Sequence, residues 1–170
     1  IGQSISTFNK KSIKDPSKTQ FEEKMAMVRN LKNVNGNVWW PGWSISKNPF
    51  GFTDSLVNKY QKYPAIIPAY KNLDSIAPMP VYDLLKRGKK LIWKHNSGGD
   101  KMQEAQFYAV YCFPEGVKAD IDNSEYLLEI VNKSEFTIEP AKSKTARYFI
   151  VTAIDRCRNE STPSKAVKVK

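Results

Sequence analysis

Residues 148–155 read Tyr148-Phe149-Ile150-Val151-Thr152-Ala153-Ile154-Asp155, and this stretch decides the fold of the larger part of the chain. It is β-branched and aromatic, short, and followed by the turn formers Arg158-Asn159-Glu160, which together predict a strand. Working outward, similar short runs lie at 81–85, 90–93, 107–113, 126–131, 135–138 and 166–169. Turn signals separate them: Arg87-Gly88, Ser97-Gly98-Gly99, Pro114-Glu115-Gly116 and Asp122-Asn123. Seven short strands with turns between them predict an all-β sandwich of immunoglobulin or fibronectin type over residues 81–170.

Before it, residues 73–80 carry Asp74, Ser75, Pro78 and Pro80 and read as a short stiff linker. Residues 1–72 follow another period. The segment 1–7 is apolar enough for a buried strand. Asp15-Pro16 is a helix-start signal, with Asp as N-cap and Pro at the first helical position. Phe21, Met25, Val28 and Leu31 then recur on one helical face, and Gly36 marks the region of its end. Gly36-Asn37-Val38-Trp39-Trp40 reads as a second buried strand, broken by Pro41-Gly42, so Trp43, Ser44 and Ile45 are expected in a loop. Phe52, Leu56, Val57 and Tyr60 give a shorter amphipathic helix. Tyr63-Pro64-Ala65-Ile66-Ile67-Pro68 is expected to be extended.

Strand, helix, strand, helix in this order implies two parallel neighbouring strands. Such a pair leaves backbone groups open at both edges and one sheet face bare, whereas parallel sheets are normally buried on both faces. The expectation is therefore that residues 1–72 end a larger α/β fold whose remainder lies before Ile1. Exposed apolar surface is expected there, covered by a second copy or a packing neighbour.

Composition excludes several classes. Of 170 residues, 41% are hydrophobic and 26% charged, an ordinary globular balance. No apolar run is long enough for a transmembrane helix, and residues 1–30 lack the pattern of a signal peptide. Net charge is +10, with 27 Lys and Arg against 17 acids. The positives are scattered and mostly Lys, and no nucleic-acid motif accompanies the densest group, Lys86-Arg87-Gly88-Lys89-Lys90, so nucleic-acid binding is not expected. Two cysteines, Cys112 and Cys157, and a single histidine, His95, give no zinc motif. No cofactor is expected. Antiparallel pairing of 107–113 with 148–154 sets Cys112 near the start of the latter and Cys157 beyond its end, so two free thiols are predicted.

The second half resembles a fibronectin type III domain over about residues 76–170. Residues 148–155 with Asn159-Glu160-Ser161 and Pro163-Ser164 resemble its F strand, F–G turn and start of G. Leu91-Ile92-Trp93 resembles the B strand, Phe107-Tyr108-Ala109-Val110-Tyr111 strand C, and Ala77-Pro78-Met79-Pro80 the entry. The resemblance implies an inward Trp93. It also implies a corner tyrosine at 147, where this sequence has Arg147.

Ile1-Gly2-Gln3, Gly36-Asn37-Val38-Trp39-Trp40, Asn48-Pro49, Asp54-Ser55-Leu56 and Tyr63-Pro64-Ala65-Ile66-Ile67-Pro68, read together, resemble the C-terminal end of a bacterial glycoside-hydrolase-like family. Its members are secreted or lipid-anchored glycosidases with a (β/α)8 barrel often followed by a fibronectin-type domain. The resemblance implies that 1–72 is the last two βα units of a TIM-type barrel, that the chain is secreted or in the cell envelope, and that a glycan is bound through the rest of the barrel. Barrel sites lie at the C-terminal strand ends, here Ser6-Thr7 and residues 40–44. Trp40 and Trp43 are the candidate sugar-stacking residues and Gln3 the candidate polar contributor; the alternative is that Trp39 and Trp40 fill the barrel interior or its helix interface and that Gln3 is a hydrogen-bonding residue of the barrel interior. Glycoside hydrolysis needs two carboxylates. The acids of the first half, Asp15, Glu22, Glu23 and Asp54, all map to helix starts or faces. No catalytic residue is therefore assigned, and the chain by itself is expected to be inactive, with the sandwich as a spacer. The alternative is a carbohydrate- or protein-binding adhesion module, with Tyr108, Tyr111, Phe113 and Tyr126 as its aromatic row.

Overall fold

The structure, a computed structural model, describes residues 2–34, 36–139 and 146–169. The chain divides into two compact units, Ile1–Lys62 and Tyr63–Lys170.

The first unit is built on strands β1 (Gly2–Ser4) and β2 (Val38–Trp40), which pair in parallel with Gln3 opposite Trp39 and Ser4 opposite Trp40. Helix α1 (Gln20–Asn30) crosses between them. It starts at Thr19, not at Asp15. Thr19 accepts from the Glu22 amide while the Glu22 carboxylate accepts from the Thr19 amide, so two otherwise orphaned donors are satisfied. Asp15 instead closes a turn, accepting from the Ser17 amide and hydroxyl and pairing with Lys18 at 3.3 Å. Phe21, Met25 and Val28 are buried as the spacing predicts, while Leu31, at the helix C-cap, is exposed.

Residues 43–45 are not loop: they open helix α2 (Trp43–Lys47). Pro41-Gly42 ends the strand but does not oppose a helix after it, because Gly42 itself has helical dihedrals. Helix α3 (Phe52–Ser55) continues through a π-helical turn to Tyr60. Phe8, Phe21, Met25, Phe52 and Leu56 form the core, joined from β2 by Trp39. Its rings meet edge-on, Phe8 with Phe21 at 4.6 Å and Trp39 with Phe52 at 5.1 Å.

The second unit contains all seven expected strands: β3 (Tyr82–Arg87), β4 (Lys90–Lys94), β5 (Phe107–Pro114), β6 (Leu127–Val131), β7 (Glu135–Thr137), β8 (Arg147–Ile154) and β9 (Val167–Val169). They form two antiparallel sheets, β3-β4-β7 and β6-β5-β8-β9, packed as a sandwich. Leu91, Trp93, Tyr108, Val110, Phe149, Val151 and Ala153 fill the space between the sheets. Both cysteines are free.

The four-stranded sheet is buried on its outer face as well. Ala109, Tyr111, Phe113, Leu127, Ile150 and Ile154 make a second core there, covered by Ile66, Ile121 and Tyr126. Ile66 belongs to an extended strap, residues 63–80. The strap is fastened by Tyr70 N–H to the Cys157 carbonyl (2.8 Å), by Asn159 Nδ2 to the Asp74 carbonyl (3.1 Å), and by Gln103 Nε2 to the Asp74 carboxylate (2.9 Å). Asn159 is held in turn by the fully buried Asp155, which accepts from both its amide and its side chain at 2.9 Å.

Candidate functional site

Strand alternation gives the first unit's sheet two unlike faces. Gln3 and Trp39 point one way, toward α1 and α3. Trp39 lies 5.5 Å from Phe21, and Gln3 Nε2 donates to Asn37 Oδ1, whose own amide reaches Met25 Sδ. Gln3 is only 7% exposed, and its Oε1 and the Trp39 Nε1 are buried without a hydrogen-bond partner. The structure therefore places Gln3 in the helix-side layer, on the face away from Trp40. A one-residue shift of register would reverse this, so position within the strand decides the matter.

Gly2, Ser4, Val38 and Trp40 point the other way, and all four are exposed. Val38 is 67% and Trp40 73% exposed, a bare apolar face on a parallel sheet. Ser4 and Trp40 are register partners at the C-terminal strand ends, with Cα atoms about 4.8 Å apart. A hydroxyl cluster continues from Ser4. Its Oγ lies 2.7 Å from Ser6 Oγ, Thr7 Oγ1 donates to the Ser4 carbonyl at 3.3 Å, and Lys24 Nζ donates to Thr7 Oγ1 at 2.8 Å. Trp43, 62% exposed, stands just beyond, with Lys47 Nζ 4.6 Å from its ring centroid in a cation–π contact.

This region thus offers the indole faces of Trp40 and Trp43, hydroxyls and the ammonium groups of Lys24 and Lys47. Such groups can stack on the apolar face of a sugar and hydrogen-bond its hydroxyls. They include no carboxylate, and glycoside hydrolysis uses a pair of them. The four acids are spent elsewhere: Asp15 in its turn, Glu22 in the helix cap and on Lys59 (3.0 Å), Asp54 as acceptor from Asn48 (2.8 Å), and Glu23 on the α1 surface. The Lys59 ammonium holds the Glu22 carboxyl below its ordinary range. Ser4 and Lys24 were not singled out by sequence reasoning. Ser4 could have been found by counting two along the strand from Gly2; Lys24 depends on the fold.

In the second unit, Trp93 is a core residue, 5.3 Å from Tyr108. Of the proposed aromatic row, Tyr108 lies between the sheets, Tyr111 and Phe113 lie in the outer core, and Tyr126 is half-buried beside Phe113. They do not form an exposed row. The strap and the 115–126 loop cover the face that would have carried it. His95 follows β4, its Nε2 3.0 Å from the Met79 carbonyl. Among the described residues no helix is long and apolar enough to cross a membrane.

No family model matches the chain. It is 30% identical over 157 residues to "Glycosyl hydrolase YngK" of Bacillus subtilis (strain 168). The match covers 86% of this chain, which spans 29% of that relative's length. Among solved structures, a Fn3-like protein from Clostridium thermocellum is similar, with TM-score 0.41 and 17% identity, covering 56% of this chain and 94% of that one. Two titin structures, the kinase with its flanking domains and domains A168–A170, give TM-scores of 0.38 and 0.37, each at 17% identity. They cover 55% of this chain, and 17% and 32% of the respective titin chains.

Proposed function

We propose that this chain is the C-terminal portion of a secreted bacterial glycoside hydrolase. In this reading residues 1–72 are the last two βα units of its barrel, and the sandwich is a spacer. The observation that carries the reading is the 30% identity over 157 residues to a protein named as a glycosyl hydrolase. The one-sided parallel pair supports it: the face bearing Gly2, Ser4, Val38 and Trp40 is the one a barrel interior would cover. Trp40 then stacks on a sugar at the mouth, with the Ser4 hydroxyl beside it. The catalytic carboxylates come from outside this chain, which alone is inactive. The glycan enters through the rest of the barrel, and a second copy covers the open edge when that rest is missing.

The test is hydrolysis of polysaccharides and chromogenic glycosides by two proteins: this chain, and the longer polypeptide that includes its upstream coding region. The proposal expects no turnover by the first and turnover by the second. In the longer protein Trp40→Ala is expected to lower kcat/KM by roughly tenfold to a hundredfold, the loss of about 1.4–2.7 kcal/mol of stacking at the transition state. Turnover by the 170-residue chain, or full activity of the variant, would overturn the assignment. Recovery of the longer protein from culture medium or envelope rather than cytosol tests the location.

A further inference from the structure

A cavity of about 240 Å3 opens over the outer face of the four-stranded sheet, lined by Ile66, Tyr111, Ile121, Asp122, Leu127 and Glu160 among others. Glu160 is held there by two buried hydroxyls. Its Oε1 accepts from Tyr111 at 2.7 Å and from Thr152 at 2.6 Å. Tyr111 is 1% exposed and Thr152 wholly buried. Burial, and then the hydrogen bond to Glu160, hold the Tyr111 hydroxyl above its ordinary range, so it remains a donor. Both hydroxyls spend their single proton on the same oxygen, which fixes the carboxylate at the wall of the cavity that Glu160 lines.

Among the described residues no cation pairs with this charge. Elsewhere in the sandwich the carboxylates of Glu135 and Asp83 each meet a lysine, Lys90 at 2.9 Å and Lys94 at 3.0 Å. Neither Glu160 nor Asp122 has an ion-pair partner among the described residues, in a chain of net charge +10. A carboxylate fixed by buried donors, walled by Ile66, Ile121 and Leu127, complements a cation that carries an apolar body. An ammonium suits it better than a hydrated metal ion, because among the described residues no group of three or more acidic, His or Cys side chains gathers to hold a metal, while Ile66, Ile121 and Leu127 supply an apolar wall beside the carboxylate.

We propose that this cavity binds the primary ammonium group of a small amine, with the ammonium on Glu160 and the carbon skeleton against Ile66, Ile121 and Leu127. The site is independent of the glycoside hydrolase reading, since it lies wholly within the second unit.

The experiment is a titration of the whole 15N-labelled chain followed by amide chemical shifts. The probes are butylammonium chloride and glucosamine hydrochloride, with 1-butanol, N-acetylglucosamine and calcium chloride as comparisons. The expected result is saturable shifts at Ile66, Ile121, Ser124 and Leu127 with butylammonium and none with the neutral compounds. Shifts with glucosamine as well would extend the class to amino sugars. Glu160→Gln keeps an acceptor for Tyr111 and Thr152 but removes the charge, and is expected to weaken binding roughly tenfold or more. Asp122→Asn, at the exposed rim, is expected to weaken it roughly twofold to fivefold, and decides the matter if Glu160→Gln does not fold. Absence of saturable shifts overturns the proposal. So do equal shifts from neutral analogues, a response to calcium in place of the amines, or unchanged binding in a folded variant.

Discussion

Phe52 shows how much of the first unit rests on single side chains. It is fully buried, with Phe8, Phe21 and Trp39 packed edge-on around it at 5.1–5.4 Å. Phe52→Ala is expected to cost this unit about 3–5 kcal/mol, read as a shift in its urea midpoint. Trp40 is as large and as apolar but exposed, so Trp40→Ala is expected to change the stability of the isolated chain by no more than about 0.5 kcal/mol. The helical spacing of Phe21, Met25 and Val28 made that core legible. The side of the sheet each tryptophan takes was not, because Val38-Trp39-Trp40 has no polar residue to reveal the alternation.

His95 offers a test by pH. Burial lowers its pKa from the ordinary 6.5, against the hydrogen bond to the Met79 carbonyl, which favours the charged ring. The unfolded chain therefore takes up the proton first as pH falls. The contribution is constant above about pH 6.5 and is lost as the pH drops from there through the lowered folded value. Urea midpoints of the second unit measured from pH 8 to pH 5 are expected to fall in that window, and less so in His95→Gln.

At the scale of elements, β8 explains both a success and a miss. Its apolar run located the sandwich. The same run, Phe149 to Ile154, is apolar at both parities, a signal of burial on both faces. Phe149, Val151 and Ala153 do face the other sheet, while Ile150 and Ile154 face the outer core. What covers that outer core, the 63–80 strap, could not be read, since its contacts with Cys157 and Asn159 span more than eighty residues of sequence. Prolines marked it as extended but not as docked. The start of α1 was misplaced for a more local reason: Asp15-Pro16 and Thr19 are both capping signals, and only Thr19 has a glutamate three residues on.

The strap leads to a prediction of its own. A polypeptide beginning at residue 77 loses the Ile66 cover and the hydrogen bonds made by Tyr70 and Asp74. It is expected to be less stable than one beginning at residue 63 by about 2–4 kcal/mol, measured by chemical denaturation. Equal stability would mean that the strap merely lies on the sandwich.

At the scale of the whole molecule, the two units solve the problem of open β-structure differently. The sandwich buries its strands between two sheets and under a strap. The first unit has two three-residue strands that, among the described residues, pair only with each other, and a sheet face carrying Val38 and Trp40 in the open. Backbone hydrogen bonds in so small a ladder are expected to break by local opening, and those of β8 only with the whole sandwich. Charge is uneven as well: 11 basic and 4 acidic residues through Leu73, 16 and 13 after it. That imbalance suits solubility and says little about fold.

The most direct measurement of this difference is native-state amide hydrogen exchange on the 170-residue chain and on the longer polypeptide with its upstream region. If the first unit is an unfinished part of a barrel, the amides of residues 2–4 and 38–40 should exchange at least a hundredfold faster than those of 149–153 in the short chain, roughly 2.7 kcal/mol less protection. They should become as well protected in the longer one. Equal protection of both ladders in the short chain would contradict the account.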